Sequence, residues 1–286
     1  MNENKTNINY FPGHMAKTRR EISDKLKLID IVFEVVDSRI PFSSRIIDLE
    51  DLIKGKPKII IMTKKDLCDI GKTNKWIDYY KSLGFKVLLT DLVNDKNINE
   101  LFRIVDEVLA DLNKTRLEKG LKERSYRALI MGVPNVGKST LINKITGKKS
   151  TSVGNKPGVT KTISWIRIND KLDLMDTPGI LWPKIDDQLV AYKLAAFSSI
   201  KDEVLPIDDI ACYILKYMYD NYKSSLEDRY GLTYLDEDDY SNAYEIIGRK
   251  RGCLIRGNEV DYQKVSNLII RDLREGYLGK VTFDDK

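Results

Sequence analysis

The clearest chemistry in the chain sits at Gly132-Val133-Pro134-Asn135-Val136-Gly137-Lys138-Ser139, two glycines separated by four residues and followed by Lys and Ser. That pattern makes a phosphate loop, because glycines at both ends let backbone N–H groups turn inward around the phosphates of a nucleoside triphosphate. The N-terminus of the helix that follows, the Lys138 ammonium and a Mg²⁺ bound by Ser139 then offset the negative charge. The candidate contacts are Asn135, Val136, Gly137, Lys138, Ser139 and Thr140. A glycine-rich turn that preceded Lys-Ser by coincidence would lack the flanks present here, a strand-like run at 127–131 and helix-like residues at 140–145.

The loop alone does not separate users of ATP from users of GTP. Asp176-Thr177-Pro178-Gly179 ends a second apolar run 37 residues after Ser139. There Asp176 is placed to hold the Mg²⁺ shell and the Gly179 N–H to meet the γ-phosphate. Between the two motifs, Gly158-Val159-Thr160 supplies a threonine hydroxyl that could complete the metal shell. Thr63-Lys64-Lys65-Asp66 follows the Asn-Lys-x-Asp pattern for guanine, in which the carboxylate accepts from two donors on the base edge that adenine lacks. Thr63 brings a hydroxyl where the pattern has an amide. Asp66 and Lys64 therefore carry the expectation, with base affinity weakened rather than specificity lost.

Strands must present these groups, and the chain has the runs to do so. A near-continuous apolar segment at 29–36 is of strand length and looks covered on both faces, 58–62 is a second strand of that buried type, and 86–89 and 127–131 read as further strands. Helical stretches alternate with them at 16–28, from Ser43 or Ser44 to about Lys54, at 73–83 and as one long amphipathic helix at 97–117. Two more strands, 162–168 and 171–175, flank a hairpin-like turn at Asn169-Asp170, and a helix follows at 186–197. Strand and helix in alternation predict an α/β fold with a doubly wound, mostly parallel sheet. From about Pro206 the texture becomes helix-rich, with three or four helices of which 207–222 and 262–274 are the clearest. The expected division is an N-terminal segment 1–28, a nucleotide-binding domain 29–200 and a smaller all-α domain 206–286.

The chain has 286 residues, 42% hydrophobic and 32% charged, the composition of a soluble globular protein. No run approaches the ~18 apolar residues of a membrane span, and the polar N-terminus is not a signal peptide, so a cytoplasmic location is expected. Cys68, Cys212 and Cys253 lack metal-ligand spacing and read as reduced thiols. The net charge of +5 hides an asymmetry: 201–286 carries 13 Lys+Arg against 18 Asp+Glu, and 1–200 carries 35 against 25. The surplus is densest at 114–169, with 13 basic residues and 2 acidic. That is more than a triphosphate needs, and it suggests a polyanionic partner such as RNA; a merely solvated face is the alternative.

In ordinary small GTPases the guanine motif follows the phosphate loop, whereas here it precedes it, at 63 against 132, and nothing after Gly179 matches it. The order is circularly permuted. Together with Tyr10-Phe11-Pro12-Gly13-His14-Met15-Ala16-Lys17, Asp37-Ser38-Arg39-Ile40-Pro41, Arg251-Gly252 with Asp261, and Asp272-Leu273-Arg274, this order resembles the ribosome biogenesis GTPase A family of circularly permuted GTPases over essentially the whole chain.

The resemblance implies a GTPase, slow alone, that uses GTP and Mg²⁺ and is stimulated by the large (50S) ribosomal subunit. It would act late in that subunit's maturation, with a helical C-terminal domain on rRNA and neither membrane nor DNA as partner. Ile180, apolar as in the family, cannot orient water. The resemblance implies a catalytic part for the N-terminal histidine, so His14 is the candidate to orient or activate the attacking water, the alternative being a residue that contacts RNA or is simply exposed. Asn135 matches a position that helps hold K⁺ in potassium-stimulated GTPases, or else it satisfies local backbone. Asp91 and Leu92 stand where the family's last base-contacting loop falls. The helix after Gly179 leads straight into the C-terminal domain, so ordering of that loop by the γ-phosphate could reposition the domain. Two rivals remain in view, an ATP-dependent enzyme and a nucleotide-dependent RNA scaffold without useful hydrolysis.

Overall fold

The computed structural model describes residues 13–95, 98–121, 124–147, 164–181, 185–201 and 204–286. The predicted strands appear as β1 (Ile31–Asp37), β2 (Lys58–Thr63), β3 (Lys86–Leu89), β4 (Tyr126–Met131), β5 (Ser164–Arg167) and β6 (Leu172–Asp176). They form one sheet in the order β3-β2-β1-β4-β6-β5, parallel throughout except for the β5–β6 hairpin. Every residue of β1 and β2 is buried. Side chains alternate between faces along a strand, so Ile59 and Ile61 join one apolar cluster while Ile60 and Met62 join another with Trp76, Ile77 and Tyr80. Cover on both faces is why these strands read as unbroken apolar runs.

The chain lays β1, β2 and β3 outward in one direction and β4 and β6 in the other. The β1–β4 boundary is therefore a switch point, where loops leaving the C-terminal strand ends diverge and leave a crevice.

Helices α1 (Gly13–Lys25), α2 (Leu49–Ile53), α3 (Ile70–Ser82), α4 (Asn99–Val108), α5 (Ala110–Glu118), α6 (Lys138–Thr146) and α7 (Gln188–Ala196) surround the sheet. Four more, α8 (Ile207–Asn221), α9 (Lys223–Tyr230), α10 (Ser241–Arg251) and α11 (Tyr262–Arg274), make the helical C-terminal part. The apolar core runs without interruption from the strands into α8, α10 and α11. No helix among the described residues is long and apolar enough to cross a membrane.

Three local expectations are corrected. No helix starts at Ser43 or Ser44, because the Ser44 hydroxyl donates back to Ile40 O (2.6 Å) and the Ser43 hydroxyl donates to Asp284 Oδ1 (2.7 Å), leaving only Leu49–Ile53 helical. The single helix at 97–117 is two, broken at Leu109 (φ −99°, ψ 6°); α4 buries Leu101, Ile104 and Val105, whereas α5 buries nothing. The third helix starts at Ile70 rather than at 73, since the Asp69 carboxylate caps it by accepting from Gly71 N (2.9 Å) and Lys72 N (3.2 Å).

Candidate functional site

Loops from the C-terminal ends of β2, β3, β4 and β6 converge on a cleft of about 950 Å³, a size that suits a nucleotide-sized ligand. Thr63, Lys64, Asp66 and Leu92 line one side; Asn135, Gly137, Lys138, Ser139, Thr140 and Gly179 line the other.

The phosphate side is built from β4 into α6. Gly132 must be glycine, because a Cβ there would lie 2.4 Å from Val35 O on the neighbouring strand. Gly137 takes φ 96°, open to glycine at no steric cost, and starts α6 at Lys138. Asn135 also has positive φ (60°), and its amide nitrogen donates to Ser198 O (2.7 Å), tying the loop to the turn after α7. The Lys138 ammonium donates to Gly132 O and Val133 O, both at 2.9 Å. Burial pushes its pKa down to about 8, with the Asp176 carboxylate opposing. Burial likewise pushes Asp176 up to about 6, against Lys138 and the Thr177 N–H.

The loop after β6 packs directly on the phosphate loop. A Cβ on Gly179 would come within 2.9 Å of Pro134 N and Cα, the Ile180 N–H donates to Gly132 O (3.2 Å), and the Thr177 hydroxyl donates to Ile130 O (2.7 Å). Ile180 is fully buried and does not face the cleft. Asp176 Oδ1 is buried without a hydrogen-bond partner. A carboxylate oxygen left this way is costly, and a bound cation would satisfy it. Asp176 with Ser139 thus fits a Mg²⁺ site; Thr160, the other predicted ligand, lies outside the described residues.

On the base side, Thr63 Oγ1 lies 2.6 Å from Val136 O and 3.1 Å from Val36 O, so its hydroxyl is shared between the phosphate loop and the end of β1. Lys64 adopts a left-handed conformation (φ 59°) and donates to Asp37 Oδ2 (2.7 Å). Burial lowers its pKa while Asp37 resists. Burial also disfavours the Asp37 carboxylate, but Arg39, bound through Nε (3.0 Å) and Nη2 (2.9 Å), and Lys64 outweigh it and hold that carboxyl well below the usual range. Asp66 is half-buried on the cleft wall, its pKa raised by burial, to which the nearby Asp91 adds. The Asp91 carboxylate accepts from Val93 N (2.8 Å), Asn94 N (2.9 Å) and Asn94 Nδ2 (2.7 Å), so it shapes its own loop, and Leu92 rather than Asp91 lines the cleft. Lys144 on α6 holds that loop by donating to Leu92 O (2.8 Å).

His14 falls in the first turn of α1, and its side chain lies outside the described part of the structure. The α1 helix sends Met15 and Ile22 into the core and pairs Arg19 with Asp48 just ahead of α2. One wall of the cleft was not anticipated from sequence. Arg251 at the end of α10 and Lys264, Asn267 and Arg271 of α11 face the same space as the phosphate loop. The i, i+3, i+7 spacing of the last three was a readable polar stripe, but its target was not.

Residues 127–239 match a family described as 50S ribosome-binding GTPase. Over 97% of its length the chain is 44% identical to ribosome biogenesis GTPase A of Priestia megaterium, spanning 96% of that protein. It is equally 44% identical, again over 97%, to the protein of that name from Bacillus licheniformis, spanning 98% of it. Its fold is similar to a solved structure described as GNP-bound YlqF from T. maritima, at TM-score 0.65 and 28% identity, over 94% of this chain and 98% of that one.

Proposed function

Because this chain belongs to the ribosome biogenesis GTPase A family and is a GTPase, we propose that it binds GTP with Mg²⁺ in the cleft, acts late in maturation of the large (50S) ribosomal subunit, and leaves after hydrolysis. The observation that carries this reading is the convergence of Lys138, Gly179 and Asp66 on one cleft at the switch point of the sheet. The phosphate loop from Asn135 to Thr140 and the Gly179 N–H cradle the phosphates, with Lys138 offsetting their charge. Ser139 and Asp176, joined by Thr160, would hold Mg²⁺, which would supply charge neutralisation to the triphosphate. Asp66 reads the guanine edge while Lys64 and Leu92 flank the base; Asp91 shapes the Leu92 loop.

Hydrolysis joins water to the γ-phosphorus, breaks its bond to the β–γ bridging oxygen and releases GDP and phosphate. Buried Ile180 offers no group to orient that water; His14, the residue the family resemblance marks, takes that role in this reading. Asn135, whose nitrogen donates to Ser198 O, is the K⁺ ligand in this reading, through its amide oxygen. Residues 1–28, 29–200 and 206–286 act as catalytic segment, GTPase domain and rRNA-binding domain, in the cytoplasm.

Measuring GTP hydrolysis with and without purified large subunits, first in potassium and then in sodium, tests this reading. Turnover is expected to rise with subunits and to fall in sodium. No response to subunits would remove the ribosomal role, and equal rates in both salts would remove K⁺. Subunit-stimulated turnover unchanged in His14→Ala would remove His14 from catalysis.

A further inference from the structure

We propose that the C-terminal tail, residues 281–284, and Arg39 form a brace that positions the guanine-reading loop, so that discrimination of guanine depends on a tail that does not itself line the cleft. The inference rests on the reading of Asp66 given above.

The tail spans both loops that frame the base. Its first N–H, of Val281, donates to Leu67 O (3.1 Å), the residue next to Asp66. Leu67 in turn packs on Gly276, where an added Cβ would lie 2.9 Å from Leu67 Cδ2. Further along, the Phe283 N–H donates to Arg39 O (2.7 Å). The Asp284 carboxylate then accepts from Phe42 N and Ser43 N (2.8 Å each), from the Ser43 hydroxyl (2.7 Å) and from Lys193 Nζ (2.9 Å). All four tail residues are at most 2% exposed.

Arg39 carries this anchoring to the other side of Asp66. Its guanidinium lies 4.5 Å above the Phe197 ring, which meets Phe283 edge-on at 5.2 Å, and its fork grips Asp37, which accepts the Lys64 ammonium. A lysine stays at φ 59° only when its surroundings hold it there. The residue two before Asp66 and the residue after it are thus both held by groups that end on the tail. A carboxylate reading two donors has to be placed within about 0.5 Å, and a buried, fully partnered network supplies that rigidity.

The test compares affinities of the full-length chain for GDP and for inosine diphosphate, which lacks the exocyclic amine. The wild type is expected to prefer GDP by at least about tenfold. In Asp284→Asn and in Arg39→Gln that ratio shrinks toward one, whereas a general loss of stability weakens both nucleotides alike. An unchanged ratio in folded variants overturns the brace. Hydrogen exchange on the wild type gives a second readout that needs no variant: GDP slows the amides of 281 and 283 at least about fivefold, and inosine diphosphate slows them less. Equal protection by both nucleotides, or none, overturns it as well. A wild type that binds both nucleotides equally removes the Asp66 reading itself, and the brace with it.

Discussion

At the residue scale, Asp37 shows how charge outweighs burial. It is 1% exposed, yet the Arg39 and Lys64 cations keep it ionised well below the usual carboxylate range. Because its folded value is depressed, its stabilisation is present above the ordinary value of 3.8 and is lost as pH falls below it. Asp37→Asn strands the buried Arg39 and the half-buried Lys64 and is expected to cost about 3–5 kcal/mol at neutral pH. Urea unfolding from pH 7 to pH 3 should show the gap to wild type closing below about pH 4; a gap independent of pH would assign the loss to packing. Asp66 makes a second prediction. Replaced by Asn, it offers an amide donor where guanine presents donors, so GTP affinity should fall about 10–100-fold, while xanthosine triphosphate, with a carbonyl in place of the exocyclic amine, should bind better than to wild type. Competition titrations of the two nucleotides check this, and an unchanged preference for GTP would move base reading away from Asp66.

At the scale of elements, the site depends on loops locked to one another across the sheet. Thr63 joins the end of β2 to the phosphate loop, Lys144 joins α6 to the Leu92 loop, and Gly179 lies against Pro134 with no room for a methyl group. Gly179→Ala must push one loop off the other, at a cost of about 1–3 kcal/mol. Since its N–H is proposed to meet the γ-phosphate, kcat for GTP is expected to fall by more than GDP affinity does. Equal losses in stopped-flow binding and in turnover would mean that the loop contributes packing only.

At the scale of the molecule, the cleft lies between two bodies of sequence. The strand ends supply the phosphate loop, and α10 and α11 supply a wall with exposed Arg251, Lys264 and Arg271. The basic surplus of 1–200 and this cationic wall together predict that the proposed association with large subunits weakens steeply with salt, at a log-log slope of about −0.7 to −0.9 per phosphate contact. Sedimentation across a salt series measures it, and a flat response would exclude phosphate contacts as the source of affinity. Comparing GDP with a non-hydrolysable GTP analogue in the same experiment tests the coupling of Gly179 to the helical part. Equal affinities would end that idea, since a ligand without differential interaction shifts nothing.

The sequence by itself determined the phosphate loop, the Asp176-Gly179 loop, the guanine motif in its permuted order and a mostly parallel sheet. Each of these is encoded within a few residues, by glycines where a backbone must turn tightly and by apolar runs where a strand is covered on both faces. The tertiary structure alone decided what Asp37 and Arg39 do, why Ser43 belongs to no helix, that Asp91 turns a loop, and that the last helix walls the cleft. Those outcomes rest on contacts between residues far apart in the chain, such as Lys64 with Asp37 across 27 positions and Ser43 with Asp284 across 241. No local periodicity encodes them, because they exist only once the strands have taken their order and residues 281–284 have packed against the loops after β1 and β2.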